Sequence, residues 1–270
     1  MKILYFGDLV GRTGRTALFD GIDAIRAELE PDFIIVNGEN AAHGFGITEK
    51  ICEQVFAAGA DVITTGNHAW DQREIMNYIG GEPRLLRPLN YPKGTPGNGA
   101  GLFEARGGGR VFVAQIMGRL FMDAIDDPFA RIDEELAKLR LGEGTDAIVV
   151  DIHAEASSER MAVGHFLDGR VSLVAGTHTH VPSADAQILP GGTAYQTDIG
   201  MCGDYDSVIG MKKGEAINRF IKKLPTERLE PAEAEATLCA VFVETDDATG
   251  LASRIEPLRR GPRLIQTRPT

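Results

Sequence analysis

Eight residues of the types that hold metal ions or move protons sit at the ends of five apolar segments. Asp8 closes "KILYFGD", Glu39 and Asn40 close "DFIIVNGEN", and Asn67 with His68 close "DVITTGNH". His153 closes "AIVVDIH", and His178 and His180 end "VSLVAGTHTH" just before Pro182. Carboxylate, amide and imidazole form a mixed oxygen–nitrogen set without thiolate. Such a set suits iron, manganese or zinc in a catalytic site better than a closed structural zinc. Taken singly, each position reads as a turn residue or a satisfied histidine. The weight comes from five segment ends together, which hold four of the six histidines. His43, in "NAAHGFGIT", could line a cleft without being a ligand, and His165 reads as an ordinary helix residue.

Other chemistries fit less well. The segment "GDLVGRTGRT" lacks the first glycine and the lysine of a phosphate loop, because Leu9 and Arg15 stand in those places. Gly7, Gly11 and Gly14 fit a sharp turn beneath Asp8. There is no G-x-S-x-G nucleophile motif, and no cysteine adjoins a histidine.

These residues need a scaffold that gathers them. Leu18, Ile22, Ile25 and Leu29 make one helical stripe. "TEKICEQVFAAGA" is a helix with Thr48 at its N-cap and Gly59 near its end. After "DVITTGNH", Asp71 and Glu74 could open a further helix as a capping box. Strands alternating with helices predict a parallel sheet covered by helices, in which ligands gather outside the carboxyl ends of the strands. If the last strand runs through His180, His178 and His180 would share its face.

From Leu85 to Met117 the pattern becomes strand and turn, with Gly107–Gly109 as a hairpin turn. A helix over Pro128–Arg140, a hairpin in "AQILPGGTAYQTD" and two closing strands, "ATLCAVFVETD" and "LASRIEPLR", complete the reading. Together they predict one domain over residues 1–270, with two sheets in the middle and helices outside.

The chain has 28 Lys plus Arg against 39 Asp plus Glu, a net charge of −11, and no basic run that would suit nucleic acid. Cys52, Cys202 and Cys239 are isolated, so neither a disulfide framework nor a thiolate zinc site is expected. No apolar run approaches a membrane span, and "MKILYFGDLVG" is unlike a signal peptide. A cytoplasmic protein is expected, with self-association left open.

The ordered set of Asp8, Glu39, "GNH" at 66–68, His153 and "GTHTH" at 176–180 resembles the calcineurin-like metallophosphoesterases. "GDLVGRTGR", "NGENAA", "GNHAWD", "DIHAEASSE" and "GTHTHVPSAD" resemble its bacterial YmdB-type phosphodiesterase branch, as far as about Gly210. The usual Asp-x-His block is here Asp8-Leu9-Val10, and Glu39 stands where an Asp is usual. The branch shares both departures, which makes Asn40 the replacement ligand.

The resemblance implies a four-layer αββα sandwich with two central mixed sheets and a dinuclear centre. Iron is the first choice for the ions, with manganese or zinc as alternatives. Asp8, Glu39, Asn40 and His180 would serve one ion, and Glu39, Asn67, His153 and His178 the other. A metal-bound hydroxide would attack a phosphodiester in line, with 2′,3′-cyclic nucleotides the favoured small-molecule substrates. His68 would protonate the departing ribose oxygen, oriented by Asp71 unless that residue serves as a cap. Asp151, Glu155 and Asp198 could support the ligands, though each reads more readily as structural. The alternatives are a phosphomonoesterase or 5′-nucleotidase, or a regulatory nucleotide-binding protein with slow turnover.

Overall fold

In the computed structural model, which describes residues 1–224 and 227–270, short buried strands alternate with helices through the first half of the chain. The elements in that half are β1 (Lys2–Phe6), β2 (Asp8–Leu9), α1 (Gly11–Leu29), β3 (Phe33–Asn37), α2 (Glu49–Ala57), β4 (Val62–Thr64), α3 (Ile75–Tyr78) and β5 (Leu85–Leu86). The middle holds β6 (Ala100–Glu104), β7 (Arg110–Met117), α4 (Pro128–Leu136), β8 (Ala147–His153), α5 (Ser157–Leu167) and β9 (Leu173–Thr177). The remainder is β10 (Gln187–Ile188), β11 (Ala194–Gln196), β12 (Met201–Cys202), α6 (Lys213–Lys222), β13 (Leu238–Thr245) and β14 (Ala252–Arg260).

Two six-stranded mixed sheets organise the chain, in the orders β14-β13-β1-β3-β4-β5 and β10-β11-β9-β8-β7-β6. The first joins the parallel run β1, β3, β4, β5 to the antiparallel closing strands, with Tyr5 opposite Ile35 and Val241. In the second, β7, β8 and β9 run parallel, and His153 pairs with Met117 and Thr177. The β6–β7 hairpin turns through Gly107, Gly108 and Gly109, all near φ +90°, a region open to glycine alone at little cost. A short parallel pair, β2 with β12, carries Asp8 opposite Met201.

Alternation along these strands sends apolar side chains to both faces. Leu4, Phe6, Ile34 and Val36 pack with Leu18, Ile22, Ile25 and Val55 of α1 and α2. Tyr5, Ile35, Val113, Val149 and Leu173 form a second core from strands of both sheets. Ile116, Val150 and Ile152 build a third core with Ile132 and Val163 of α4 and α5. Thr48 Oγ1 caps α2 through the Ile51 N–H at 3.3 Å, and Asp127 caps α4 through Phe129 and Ala130.

Three expectations need correction. The helix over residues 128–140 ends at Leu136. The helix after β4 is a single turn preceded by Glu74, without a side-chain cap, so Asp71 opens no capping box. β9 ends at Thr177, and His178 and His180 lie beyond it at φ +101° and +66°. Their shared direction therefore comes from a left-handed turn and not from strand alternation. Helix α6 was not foreseen.

Candidate metal centre

All seven candidate ligands meet in one region. Asp8, Glu39, Asn40, His153 and His180 are buried, while Asn67 and His178 are half-buried. His153 Nε2 lies 2.9 Å from Asn67 Oδ1, 3.1 Å from Glu39 Oε1 and 3.1 Å from His178 Nδ1. His180 Nε2 lies 3.2 Å from Asn40 Oδ1 and 3.8 Å from Asp8 Oδ1. Glu39, His153 and His178 offer ligand atoms that all fall within 4.8 Å of one another. Glu39, Asn40, His178 and His180 line a cleft of about 360 Å³ together with His68 and Glu155.

The histidine tautomers follow from the opposite ring atoms. The Thr177 hydroxyl donates to Asp151 Oδ1 at 2.7 Å, so its oxygen accepts from His153 Nδ1–H at 2.8 Å. His180 Nδ1–H donates to the Ile209 carbonyl at 2.8 Å. His178 Nε2 faces Glu155 Oε2 at 3.2 Å, where the carboxylate can only accept. Each ring thus turns a lone pair towards the cluster. Supports of this kind fix the tautomers of metal-binding histidines.

Lone pairs on His153 Nε2, Asn67 Oδ1, Glu39 Oε1 and His178 Nδ1 therefore converge, and without a cation they repel. Asp8 Oδ1 is buried with no hydrogen-bond partner, which a native protein rarely tolerates. Gly66 leaves the space: a Cβ there would collide with Glu39 Oε2 and His153 Nε2. The donor set, the orphaned oxygen and the cradle all fit cations.

Protonation shows what the ion-free cluster does instead. Burial alone would lower His153, yet the Glu39 carboxylate overrides it and raises the ring to about 9. Burial would raise Glu39, but the His153 charge and hydrogen bond hold it down at about 2. Burial pushes Asp8 up to about 7. Burial, with the His153 charge beside it, keeps His178 down at about 3, so this ring is neutral near pH 7. A proton on His153 takes the place a cation would fill.

His68 is not part of this cluster. Its backbone N–H donates to Glu39 Oε2 at 3.2 Å, while its side chain turns to Asp71, with Nδ1 3.0 Å from Oδ2. Asp71 therefore orients His68. Phe45 and the imidazole pack in a T shape, with ring centroids 5.1 Å apart.

Of the supporting residues, Asp151, Glu155 and Asp198 were candidates from the sequence, and their partners were not. Asp151 is buried under Tyr5 Oη, at 2.5 Å, and Gln115 Nε2, at 2.8 Å, and it holds Thr177. Asp198 accepts from the Thr179 N–H at 3.0 Å, from its hydroxyl at 2.6 Å and from the buried Arg160 at 2.7 Å. It thereby anchors the turn between the two histidines. Tyr205 Oη donates to the His180 carbonyl at 3.1 Å. Thr177 and Thr179 lie inside "GTHTH" and could have been noticed; Tyr5, Arg160 and Tyr205 carry no local signal. His43 is exposed and lines a neighbouring cavity, and His165 is an exposed residue of α5.

Two mixed sheets with oxygen and nitrogen donors gathered at one rim are of the metallophosphoesterase type. The sequence matches the family model described as YmdB-like protein over residues 4–258. The chain belongs to that family. It is 46% identical over 256 residues to the "2′,3′-cyclic-nucleotide 2′-phosphodiesterase" of Bacillus subtilis (strain 168), covering 95% of this chain and 96% of that one. A crystal structure of a hypothetical protein from Thermus thermophilus superposes with a TM-score of 0.90 at 40% identity, covering 97% of this chain and all of the other. A novel phosphatase from Mycoplasma pneumoniae also gives 0.90, at 34% identity, with 97% and 93% covered. No helix among the described residues is long and apolar enough to cross a membrane.

Proposed function

We propose that the chain is a metal-dependent phosphodiesterase that opens 2′,3′-cyclic nucleotides. Asp8, Asn40 and His180 would hold one ion, Asn67, His153 and His178 the other, with Glu39 between them. Iron is the first expectation for the ions, with manganese or zinc as alternatives. The observation that carries this reading is the convergence of lone pairs around His153 Nε2. Bound ions would neutralise phosphate charge and acidify water at the site.

The protein's own groups do the rest. Water adds to phosphorus, one P–O(ribose) bond breaks, and the departing oxygen needs a proton. His68 stands beside Glu39 on the cleft wall, and Asp71 occupies its Nδ1. Its Nε2 is left to give that proton when the ring carries one on each nitrogen, a role typically worth about 10²–10⁴-fold. The Bacillus relative is named a 2′-phosphodiesterase, which on this chain would put the 2′-oxygen at His68. Asp151 and Asp198 keep the histidines aimed.

The three separate cores support a four-layer αββα arrangement within a single unit of residues 1–270. Three buried, unpaired cysteines fit a reducing cytoplasm. Elemental analysis of the purified protein, alongside rates on adenosine 2′,3′-cyclic phosphate and on adenosine 3′-phosphate, tests the reading. Bound metal with turnover of the diester well ahead of the monoester supports it. A faster monoester rate would make the protein a phosphatase, and absent metal would remove the mechanism.

A further inference from the structure

The candidate metal centre lines only part of its cleft. Phe45, Val181, Ile209, Met211 and Leu229 line the same cavity as Glu39, His68 and His180. They come from four separate places: the loop after β3, the residue after His180, the turn before α6 and the segment after it. Val181 is 59% exposed and Ile209 51%. Ile209 also has φ +48°, a left-handed backbone that a β-branched residue adopts only at a cost. Its carbonyl is the acceptor for His180 Nδ1–H, so the same strained residue aims the imidazole and sets an apolar side chain at the cleft mouth. Strain of this sort gathers at functional sites.

We propose that this apolar wall is a nucleobase subsite, with Phe45 as its aromatic platform. The inference rests on the phosphodiesterase reading and adds the part of the substrate that reading leaves unplaced. The phosphate belongs with the ligand cluster and the ribose oxygens belong at His68. Phe45, 5.1 Å from the His68 ring, then lies where the base leaves the sugar. The exposed Arg228 guanidinium stands over the same phenyl ring at 5.4 Å and supplies a second planar, cationic surface.

The polar side chains lining this cleft are the candidate ligands, His68, Glu155 and Thr179, and none is an amide left free to read a base edge. The subsite therefore holds bases by stacking and burial, which is sequence-tolerant because every base has a π-face. Purines, with the larger face, bind ahead of pyrimidines, and a sugar phosphate without a base loses the contact.

The test compares kcat/KM for adenosine 2′,3′-cyclic phosphate with that for 1-O-methyl-ribofuranoside 2′,3′-cyclic phosphate, in wild type, Phe45→Ala and Phe45→Tyr. The wild-type preference for the nucleotide is expected to be about tenfold or more. It collapses towards unity in Phe45→Ala and returns in Phe45→Tyr. Val181→Ser, at an exposed position where folding is not at stake, narrows the preference part-way.

A wild type without preference overturns the proposal. So does an equal fall on both substrates in Phe45→Ala, which would make the ring only a brace for His68. Calorimetric binding of adenosine 3′-phosphate against ribose 5-phosphate decides the subsite even if no cyclic diester is turned over. That last result would sink the phosphodiesterase reading while leaving the base-dependent binding to be read separately.

Discussion

Nε2 of His153 and Oε1 of Glu39 stand 3.1 Å apart, with both side chains essentially out of water. Without a metal ion, the carboxylate keeps a proton on that ring. His153, raised from 6.5 to about 9, contributes stability that is complete below 6.5 and lost as pH rises through 9. Asp8, raised from 3.8 to about 7, works in the same direction up to pH 7. His178, lowered to about 3, opposes them only below 6.5, where its contribution is still being lost on acidification. Glu39, held at about 2, matters only below its ordinary 4.5. Thermal melts in a chelator are therefore expected to show the ion-free protein losing stability from pH 6.5 to 9. Protein refilled with metal should show a flatter curve. A parallel fall with and without metal would separate this titration from the ion site.

Glu39→Gln keeps the shape of the side chain and removes the charge that faces His153. The variant is expected to lose most of its bound metal and at least about 10²-fold in turnover, the scale on which groups that aim charge at a reacting centre act. Its fold should persist, because glutamine is close to isosteric. Metal content by elemental analysis, with circular dichroism as the control, checks both parts.

His68 and Asp71 form a pair outside the ligand cluster, joined at 3.0 Å. His68→Ala is expected to lower turnover of a cyclic nucleotide by about 10²–10⁴-fold. It should lower turnover of a p-nitrophenyl diester far less, since that leaving group needs no proton. Metal content should stay near wild type. Asp71→Asn should give a smaller loss with the same substrate pattern. Loss of metal in either variant would make His68 a ligand.

Gly66→Ala puts a methyl group where Glu39 Oε2 and His153 Nε2 already are. His153 ends β8 and Glu39 sits buried in the turn just beyond β3, so neither can give way cheaply. Metal affinity is expected to fall at least about tenfold, and the ion-free protein to melt lower as well, because the overlap is there without the ions. Unaltered metal affinity would show that the cradle is wider than this packing implies.

Much of this was visible along the chain. Asp8, Glu39, Asn67 and His153 stand at or just beyond strand ends, and strand ends are where periodic apolar runs stop. The stretch from β3 to β4 likewise shows its strand–helix–strand order in local patterns. What the chain order hid depends on contacts between distant segments. The capping-box spacing of Asp71 and Glu74 was a sound local pattern, but Asp71 pairs with His68 and the helix there is one turn without a side-chain cap. The left-handed turn at His178 and His180 is held by Asp198 and Arg160, well away along the chain in either direction. Tyr5, on the first strand, reaches Asp151 across 146 residues. Apolar stripes say nothing of such partners, because a buried tyrosine or arginine has no periodicity of its own.

The central claim is that these seven side chains surround a pair of cations, and anomalous diffraction from a crystal of the protein purified without chelator tests it most directly. The account predicts two peaks, one bounded by Asp8, Asn40 and His180 and the other by Asn67, His153 and His178, with Glu39 reaching both. A difference map with no anomalous signal there, after crystals are soaked in iron, manganese and zinc in turn, would contradict it.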